Sequence, residues 1–442
     1  MSFPRYPAYK DSGLEWLGEV PEHWVVMALK RVATIQTGLA KGKEVEPEHC
    51  VEVPFLRVAN VQDGFLDLEQ IHTILIPDQS LTRYLLRPGD VLMNEGGDFD
   101  KLGRGAIWNG EIEPCIHQNH VFAVRPHSVS PSWLNAYTSS EQANSYFISR
   151  SKQSTNLASI SSSNLMELLV PVVPDSETTQ ILDFLDRETA KIDALIAEQQ
   201  RLIELLQEKR QAVISHAVTK GLNPDAPMKD SGLEWLGEVP EHWAKVRLRT
   251  LFRQEKRQDQ PVHQVLSVYR DFGVIPKDSR DDNFNKTPEN LSLYQLVNQN
   301  DLVINKMKAW QGSLGISPFI GITSPDYIVF TSRHHEFPGY LHFLLRSSAM
   351  VSLYRSISNG IRPAQWRIEP TNFLDLPVFL PPFEEQQHIA SRINNECSNL
   401  DALTSESETS IHLLQERRSA LISAAVTGQI DVRGLVPEAS DA

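Results

Sequence analysis

The stretch KDSGLEWLGEVPEHW occupies residues 10–24, and the same fifteen residues return without a substitution at 229–243. A repeat of this kind indicates that the chain arose by tandem duplication of one structural frame. Each copy, here called an opener, carries regularly spaced apolar residues, and we expect these to hold the following segment against another part of the protein. The residues are Leu14, Trp16, Leu17, Val20 and Trp24 in the first copy, and Leu233, Trp235, Leu236, Val239 and Trp243 in the second.

A second repeat lies near the end of each half. LLQEKRQAVISHAVT at 205–219 matches LLQERRSALISAAVT at 413–427 at eleven positions. The openers and these closing segments follow one another in the same order twice. The sequence therefore predicts two tandem halves, 10 to about 228 and 229 to about 434, each made of an opener, a variable domain and a closing helix.

The closing segments belong to two long amphipathic stretches. In the first, apolar residues recur at alternating steps of three and four, which is typical of a helix that packs on another helix. These residues are Leu185, Ile192, Leu195, Leu202, Leu206 and Val213. Asp175 and Ser176 favour a helix start and Gly221 a stop, so we predict a helix over 178–219. The second stretch has a similar seam, with a stutter near Ser407, and we expect the two helices to pair. Its seam comprises Ile389, Ile393, Leu400, Leu403, Ile411, Leu414, Leu421 and Ala425.

The segments between opener and helix, 25–170 and 244–380, differ in character from the repeated parts. Short β-type runs separated by turns predict a mixed α+β structure in both. RPGDVLMNEGG aligns faintly with NQNDLVINKMK, which places Asp90 over Asp301 and Asn94 over Asn305. A repeated frame with divergent inserts favours a protein that recognises two different targets, although duplication followed by drift gives the same pattern.

Composition and charge limit the classes of function. The sequence has no apolar run long enough to span a membrane and no signal-peptide pattern, so we expect a cytoplasmic protein. Its three cysteines lack disulfide or metal-site spacing. The net charge of −14 argues at first sight against a nucleic-acid partner. However, the acid excess falls mainly in 171–243 and 381–442, whereas 244–380 carries 17 basic against 12 acidic residues.

Motifs for catalysis are absent. We find no phosphate-binding loop, dinucleotide-binding motif, amino-methyltransferase tetrapeptide, nuclease carboxylate–lysine pair or nucleophile elbow. CIHQNH brings Cys115, His117 and His120 together at 115–120, but no fourth ligand has suitable spacing for zinc. The motifs therefore support neither an enzyme active site nor a zinc site.

Polar clusters in the variable segments suit contact with bases and phosphates. Gln118, Asn119 and His120 supply amide and imidazole groups, and amides pair with adenine edges. NKMKAWQGS at 305–313 interleaves two lysines with a tryptophan and a glutamine. SNGIRPAQWR at 358–367 contains Arg362, Gln365 and Arg367. The alternative interpretation is that these are solvated loops whose tryptophans, Trp310 and Trp366, belong to local cores.

A family resemblance rests on the order of the parts and on several motifs. The motifs are LRVANVQDG (56–64), RPGDVLMNEGGDFDKLGRG (87–105), QNHVFAVRP (118–126), DLVINKMKAWQGSLGIS (301–317), SPDY (324–327) and PPFEEQQHI (381–389). In these the chain resembles the specificity subunit of type I DNA restriction-modification enzymes along nearly its whole length.

The resemblance implies an α+β fold in which two α/β target-recognition domains are separated by two long helices that form an antiparallel coiled coil, with an internal pseudo-twofold from the duplication. Each domain is expected to recognise one half of a split, asymmetric DNA sequence. The chain itself would have no catalytic residues, no metal and no cofactor. Two methyltransferase subunits carrying S-adenosylmethionine would dock on it and methylate adenines. Motor-nuclease subunits that use ATP and Mg²⁺ would cut unmodified DNA.

The resemblance also implies domain limits and site residues. The limits are 1–24 and 229–243 for the openers, 25–170 and 244–380 for the recognition domains, 171–228 and 381–434 for the spacer helices, and 435–442 for a tail. The motifs place candidate DNA-binding residues at Arg57, Asn60, Asn94, Lys101, Arg104, Gln118, Asn119, His120, Lys306, Lys308, Trp310, Gln311, Ser324 and Tyr327. Arg362, Gln365 and Arg367 join them from the cluster at 358–367. Which of these contact bases and which support the domain stays open.

Two other interpretations stay open. The chain could be an architectural protein whose two β-rich modules bind other proteins without any role at DNA, and its bulk acidity favours that class. An enzyme that acts alone would require an active site without a recognisable motif. If the chain is a specificity subunit, we expect helix length to set the separation of the two half-sites and the isolated chain to bind DNA weakly.

Overall fold

The computed structural model describes residues 3–40, 49–97, 102–103, 105–154, 157–260, 264–280, 287–360 and 366–435. The chain forms two compact units, Met1–Gln199 with Thr409–Ala442, and Gln200–Glu408. Both long helices contribute one part to each unit. The two units therefore do not coincide with the two tandem halves of the sequence.

The elements up to the end of the first long helix are short strands and helices followed by one helix of 46 residues. They are β1 (Tyr9–Asp11), β2 (Glu19–Pro21), β3 (Val25–Ala28), β4 (Ala33–Thr37), β5 (Cys50–Leu56), β6 (His72–Pro77), α1 (Asp78–Tyr84), β7 (Asp90–Asn94), β8 (Gly96–Gly97), β9 (Gly105–Trp108), β10 (Ile116–His117), β11 (Val121–Pro126), α2 (Pro131–Thr138), α3 (Glu141–Arg150), β12 (Lys152–Ser154), β13 (Leu157–Ser159), α4 (Ser162–Met166), β14 (Leu169–Val172) and α5 (Asp175–Lys220).

The remaining elements follow a similar order and end in a helix of 44 residues. They are β15 (Met228–Asp230), β16 (Glu238–Pro240), β17 (Ala244–Arg247), α6 (Leu248–Leu251), β18 (Phe252–Gln254), β19 (Leu266–Tyr269), β20 (Gly273–Pro276), β21 (Gln295–Val297), β22 (Leu302–Asn305), β23 (Leu314–Ile316), β24 (Gly321–Thr323), β25 (Tyr327–Ser332), α7 (Pro338–Arg346), α8 (Ser348–Ile357), β26 (Ser358–Asn359), β27 (Arg367–Ile368), α9 (Pro370–Leu374), β28 (Pro377–Leu380) and α10 (Phe383–Val426).

Each unit contains a four-stranded antiparallel sheet of the same topology. The strand order is β4-β11-β7-β9 in the first unit and β18-β25-β22-β23 in the second. In both units a helix pair follows the sheet, α2 with α3 and α7 with α8. In both, the first strand after the opener pairs with the last strand before the long helix, β3 with β14 and β17 with β28. The divergent segments therefore share a fold that their sequences barely show.

A buried ion pair lies at the start of the equivalent strand in each sheet. The Asp90 carboxylate, with no exposed surface, accepts hydrogen bonds from Nε and a terminal nitrogen of Arg125, both at 2.7 Å. In the second unit the Asp301 carboxylate pairs with Arg257. Burial raises the pKa of Asp301, and the Asn298 N–H and the Arg257 guanidinium oppose that rise. The faint alignment of Asp90 with Asp301 is confirmed as a shared structural role.

The two long helices begin and end close to the predicted points. Helix α5 runs from Asp175, directly after Pro174, to Lys220, slightly longer at both ends than the predicted 178–219. Gly221 follows it with a φ of +76°, and Gly428 lies two residues beyond α10 with a φ of +74°. Left-handed backbone of this kind stops a helix, and glycine adopts it without the clash that a Cβ would make.

The predicted seam of the first long helix is wrong at Leu195 and Leu202. Leu185, Ile192 and Leu206 are buried as predicted, but Leu195 is 46% exposed and Leu202 is 41% exposed. Ile196 packs against the first unit's core instead. The predicted and observed stripes coincide at Leu185, Ile192 and Leu206. From each of these residues the observed stripe continues four residues further on and then three residues after that, whereas the predicted seam took the step of three first. On α10, Leu400 and Leu421 are buried as predicted, and Leu403 is 48% exposed.

Within each unit, α5 runs antiparallel to the second long segment. In the first unit, Arg418 Nε donates to Asp193 at 2.9 Å, and Arg187 donates to the carbonyl of Leu435 at 3.1 Å. In the second unit, Arg210 donates to Asp401 at 2.7 Å, and Gly221 lies beside the Glu385 side chain. In both units, residues further along α5 contact residues that come earlier in the second segment. The predicted mixed α and β fold with two long antiparallel helices is confirmed.

The described helices also bear on the membrane question. In the ranges that the structure covers, no helix combines the length and hydrophobicity required to cross a bilayer.

Candidate nucleic-acid interface

The openers attach to the first turn of the long helices through one carboxylate each. In the first unit, Trp24 Nε1 donates to Glu177 Oε1 at 3.0 Å, and His23 Nε2 lies 2.7 Å from Glu177 Oε2. Glu177 is 5% exposed and Trp24 is fully buried. A buried carboxylate is stable only with such donors around it, so this contact fixes both partners.

The second opener makes the same contacts. Trp243 Nε1 donates to Glu385 Oε1 at 3.1 Å, and His242 Nε2 lies 2.7 Å from Glu385 Oε2. We call Glu177 and Glu385 the anchor glutamates. Sequence reasoning missed both, although each stands three residues after the proline that precedes its helix. Each opener is therefore attached to the start of a long helix, as we expected from its apolar residues.

In the first unit the predicted cluster at 118–120 forms the turn between β10 and β11. Backbone N–H groups of Gln118 and Asn119 donate to Leu56 and Leu39, which fixes the turn beside β5. The side chains of Gln118 and Asn119 are half-buried and have no hydrogen-bond partner among the described residues. His120 is exposed and its Nδ1 lies 2.7 Å from Glu95. The turn thus presents two amides and one imidazole from a fixed backbone.

Three other predicted residues of the first unit are buried or half-buried. Asn60 is 3% exposed, and its amide nitrogen donates to the carbonyls of Asp67 and Gln70 while its oxygen accepts from Arg57 N–H. Asn94 is 3% exposed, and its amide nitrogen donates to the Val61 carbonyl at 3.0 Å. Arg57 is half-buried, with a buried Nε that has no partner in the described ranges. The two asparagine side chains hold the loop around 57–70 in place.

In the second unit the predicted cluster lies between β22 and β23. Lys308 is exposed and Gln311 is half-buried. Trp310 Nε1 donates to the Met307 carbonyl at 3.1 Å, and its ring meets Trp366 edge-on at 5.3 Å. Lys306 Nζ donates to the Pro325 carbonyl at 2.7 Å, so its ammonium supports the neighbouring loop. The structure brings the lysines, Trp310 and Gln311 to one turn, as predicted.

The remaining candidates also include both residues that support the local structure and residues that are exposed. Ser324 accepts from Asp326 N–H in a local turn, and Tyr327 packs against a small core in which burial raises its pKa. Arg367 is exposed on β27. Lys101, Arg104, Arg362 and Gln365 lie outside the described residues. His117, adjacent to the first cluster, is buried with Nδ1 2.8 Å from the Val121 carbonyl, and burial lowers its pKa.

The described residues contain no group of three or more histidines, cysteines or carboxylates placed to hold a metal ion. The two units instead combine a repeated frame with a differing polar turn on each central sheet. That architecture defines a class of duplicated chains in which two modules share one pair of long helices.

Known proteins are similar in sequence to most of the chain. No protein-family model matches it. It is 24% identical over 428 residues to the putative type I restriction enzyme MjaX specificity subunit of Methanocaldococcus jannaschii, covering 94% of this chain and 96% of the relative. It is 20% identical over 380 residues to the type I restriction enzyme EcoBI specificity subunit of Escherichia coli, covering 78% and 75%.

The fold has a counterpart among solved structures. A chain from a structure of a type I R-M system superposes with a TM-score of 0.65 at 14% identity, covering 92% of this chain and 98% of that one. The resemblance to type I restriction specificity subunits predicted from the motifs is confirmed.

Proposed function

We propose that this chain is the DNA sequence-recognition subunit of a type I restriction-modification complex. The observation that carries the proposal is the near end-to-end similarity to the MjaX specificity subunit, together with a frame that repeats while its two polar turns differ. Both modules have one topology, so a difference in what they bind must come from the side chains that the topology displays.

We propose that each module recognises one half of a split target. In the first unit the available donors and acceptors are those of Gln118, Asn119 and His120. In the second they are Lys308, Gln311 and Arg367. Amide side chains and arginine match base edges in the major groove, and lysine matches phosphates. Lys101, Arg104, Arg362 and Gln365 remain candidates from sequence alone.

The candidates whose polar groups already bond within the protein take a supporting part in this proposal. Asn60 and Asn94 have their amide donors bonded to protein carbonyls, and Lys306 is bonded to Pro325. Substituting them would disturb the backbone of a recognition loop and weaken binding to all sequences. Substituting Gln118 or Asn119 would instead change which base pair is preferred at one position of the target.

The exposed leucines of the long helices suit docking of partner subunits. Leu195, Leu202, Leu205 and Leu403 are each more than 40% exposed, and Leu413 is 58% exposed. Amphipathic helices normally cover such residues. We propose that methyltransferase subunits cover them, and that S-adenosylmethionine, ATP and Mg²⁺ act in those and in the motor-nuclease subunits. This chain then contributes recognition and assembly, without catalytic residues.

The deciding experiment is methylome sequencing of the host with and without the gene for this chain. We expect adenine methylation at one split motif to disappear on deletion and to return on complementation. An unchanged methylome on deletion would favour the alternative, an architectural protein that binds other proteins and has no role at DNA. The net charge of −14 and the exposed leucines also suit that class of protein.

Binding by the isolated chain is a second test. The acidic long helices repel phosphates, so we expect weak, salt-dependent DNA binding alone and tight binding only with methyltransferase subunits present. Sub-micromolar specific binding by the isolated chain would contradict this part of the proposal.

A further inference from the structure

An open cavity of about 680 Å³ lies in the second unit, beside the polar turn between β22 and β23. Its walls come from α5, from the turn between β19 and β20, and from helices α7 and α8. Four arginines line it, Arg210, Arg270, Arg346 and Arg355, against one carboxylate, Asp271. An arginine cluster of this density is costly to assemble unless an anion is bound, because like charges repel.

The guanidinium groups of Arg210 and Arg346 are held differently. Arg210 is paired with Asp401 at 2.7 Å. Arg346 donates to His342 Nε2 at 2.7 Å and to the carbonyl of Arg270, neither of which carries a negative charge, and its Nε is buried without a partner in the described chain. Burial lowers the pKa of Arg346, an effect that Asp271 opposes. Arg346 is therefore a positioned cation whose charge is only partly compensated.

The other two arginines are on the open side. Arg270 and Arg355 are exposed, and neither forms an ion pair among the described residues. Arg355 lies over the Trp310 ring, 5.9 Å from its centroid, which orients the guanidinium beside the cavity. Gln311 also lines the cavity, so the cavity and the polar turn of the second unit share a wall.

The start of helix α8 forms part of the same wall. Ser348 and Ser352 line the cavity there, but the Ser352 hydroxyl donates to the Ser348 carbonyl and Ser348 Oγ lies 2.6 Å from Ser215 Oγ. The start of a helix adds a partial positive charge to that wall. The groups left for a ligand, the Gln311 amide and the guanidinium groups, match an oxygen-rich anion with several acceptors.

We propose that this cavity binds a phosphate group. A phosphate accepts several hydrogen bonds at once and carries up to two charges, which Arg270, Arg346 and Arg355 can satisfy together with the Gln311 amide. An acidic protein segment is less suitable, because the shared wall with Trp310 and Gln311 places the cavity next to residues that match nucleic acid rather than protein. The phosphate belongs either to a DNA strand or to a free ion, and the two sources are separable by experiment.

The first arm uses free phosphate and does not depend on the proposed function. Inorganic pyrophosphate is titrated calorimetrically into the full chain, into the variant Arg270→Gln with Arg355→Gln, and into the control Arg392→Gln with Arg417→Gln. Both pairs remove two exposed arginines, and neither residue of the control pair, both on α10, lines the cavity. We expect at least a tenfold loss of affinity in the first variant and wild-type affinity in the control.

The second arm uses DNA and rests on the proposed function. The chain is assembled with its methyltransferase subunits, and DNA affinity is measured against salt concentration. If the phosphate is a DNA phosphate, the cavity variant should lower the slope of log affinity against log salt by about one for each phosphate that it no longer neutralises. If only pyrophosphate binding falls, the cavity takes a free phosphate.

The outcomes separate the two proposals. Wild-type pyrophosphate affinity and an unchanged salt slope in the cavity variant would overturn the phosphate site. Weaker assembly with methyltransferase subunits, with both phosphate readouts unchanged, would overturn it too and assign the arginines to a protein partner. An assembly that binds no DNA, together with pyrophosphate binding that the cavity variant abolishes, would refute the proposed function alone.

Discussion

At the scale of single residues, the anchor glutamates explain why the opener is preserved as a block. Glu177 accepts from an indole and contacts an imidazole that are adjacent in sequence, and Glu385 does the same in the second unit. Both of these partners of each carboxylate belong to the opener's HW pair, and in the first unit, where Glu177 and Trp24 are buried, loss of Glu177 would leave the Trp24 indole N–H without its acceptor.

We expect Glu177→Leu to destabilise the first unit by about 2 kcal/mol, because the buried indole N–H of Trp24 loses its acceptor. Glu177→Gln keeps one acceptor oxygen and should cost less than half of that. Denaturant unfolding followed by tryptophan fluorescence measures both. Glu198→Gln, an exposed substitution on the same helix, is the control, and equal effects of Glu177→Leu and the control would refute the anchor role.

His342 makes the second unit sensitive to acid. Its ring lies against Gly273 and Gly315 and accepts a hydrogen bond from Arg346, and burial followed by the Arg346 charge lowers its pKa to about 4. In the unfolded chain this histidine binds a proton near pH 6.5, whereas in the folded chain it binds one only near pH 4. Its contribution to the free energy of unfolding is therefore complete above pH 6.5 and falls as the pH drops towards 4.

Between pH 7 and pH 5 this residue should cost at most about 2 kcal/mol of folding free energy. His342→Gln retains an acceptor for Arg346 without titrating, and we expect a flatter dependence of stability on pH in that variant. Identical pH profiles for the variant and the wild type, measured by urea unfolding across this range, would show that another group is responsible.

At the scale of elements, the ends of the long helices are fixed by glycines with different surroundings. A Cβ on Gly428 would lie 2.3 Å from Pro21 Cδ, whereas on Gly221 it would meet nothing closer than 3.4 Å. Both have positive φ, so both resist substitution, but only Gly428 also has a rigid proline in the way.

Gly428→Ala should therefore destabilise the chain by more than Gly221→Ala, which should cost about 1 kcal/mol from backbone strain alone. Gly434→Ala is the control, since a Cβ there meets nothing within 4 Å. Thermal unfolding of the three variants ranks them, and a larger effect at Gly221 than at Gly428 would contradict the steric argument.

The sequence predicted the helices themselves well, because caps, glycine stops and apolar periodicity are local signals. The buried stripe was predicted less well. Leu195 and Ile196 are adjacent and equally apolar, and only tertiary packing decides that Ile196 faces the core and Leu195 the solvent. The short strands were anticipated as a class, but their pairing order depends on contacts distant in sequence, which no alternation pattern reveals.

At the scale of the whole molecule, the candidate site was predicted in part. The two polar turns were found because amides, lysines and an aromatic cluster there in sequence. Asn60 and Asn94 have the same chemistry as Asn119, and only burial separates a loop support from an accessible amide. The cavity arginines were missed because Arg210, Arg270, Arg346 and Arg355 come from distant elements, and no spacing rule connects them.

Helix length gives the proposed function a geometric test. Asp193 pairs with Arg418 in the first unit and Arg210 pairs with Asp401 in the second, so each long helix takes part in both ion pairs. Inserting seven helical residues, about two turns, into each long helix between its two paired residues leaves each ion pair within its own unit and lengthens each helix by about 10 Å. We expect methylation mapping to show half-sites about three base pairs further apart with unchanged sequences. New base preferences at the old spacing would refute the spacer role.

The interleaved composition of the two units also has a consequence for protein synthesis. The ribosome synthesises every residue of the second unit, Gln200–Glu408, before it makes Thr409–Ala442, which completes the first. Until then Phe184, Leu185 and Ile192 lack Leu421 and Ala425, their partners in the first unit's core. Domains generally fold from the N-terminus onwards during translation. This chain reverses that order, so its N-terminal unit is the last to be finished and the one that nascent-chain chaperones have to protect longest.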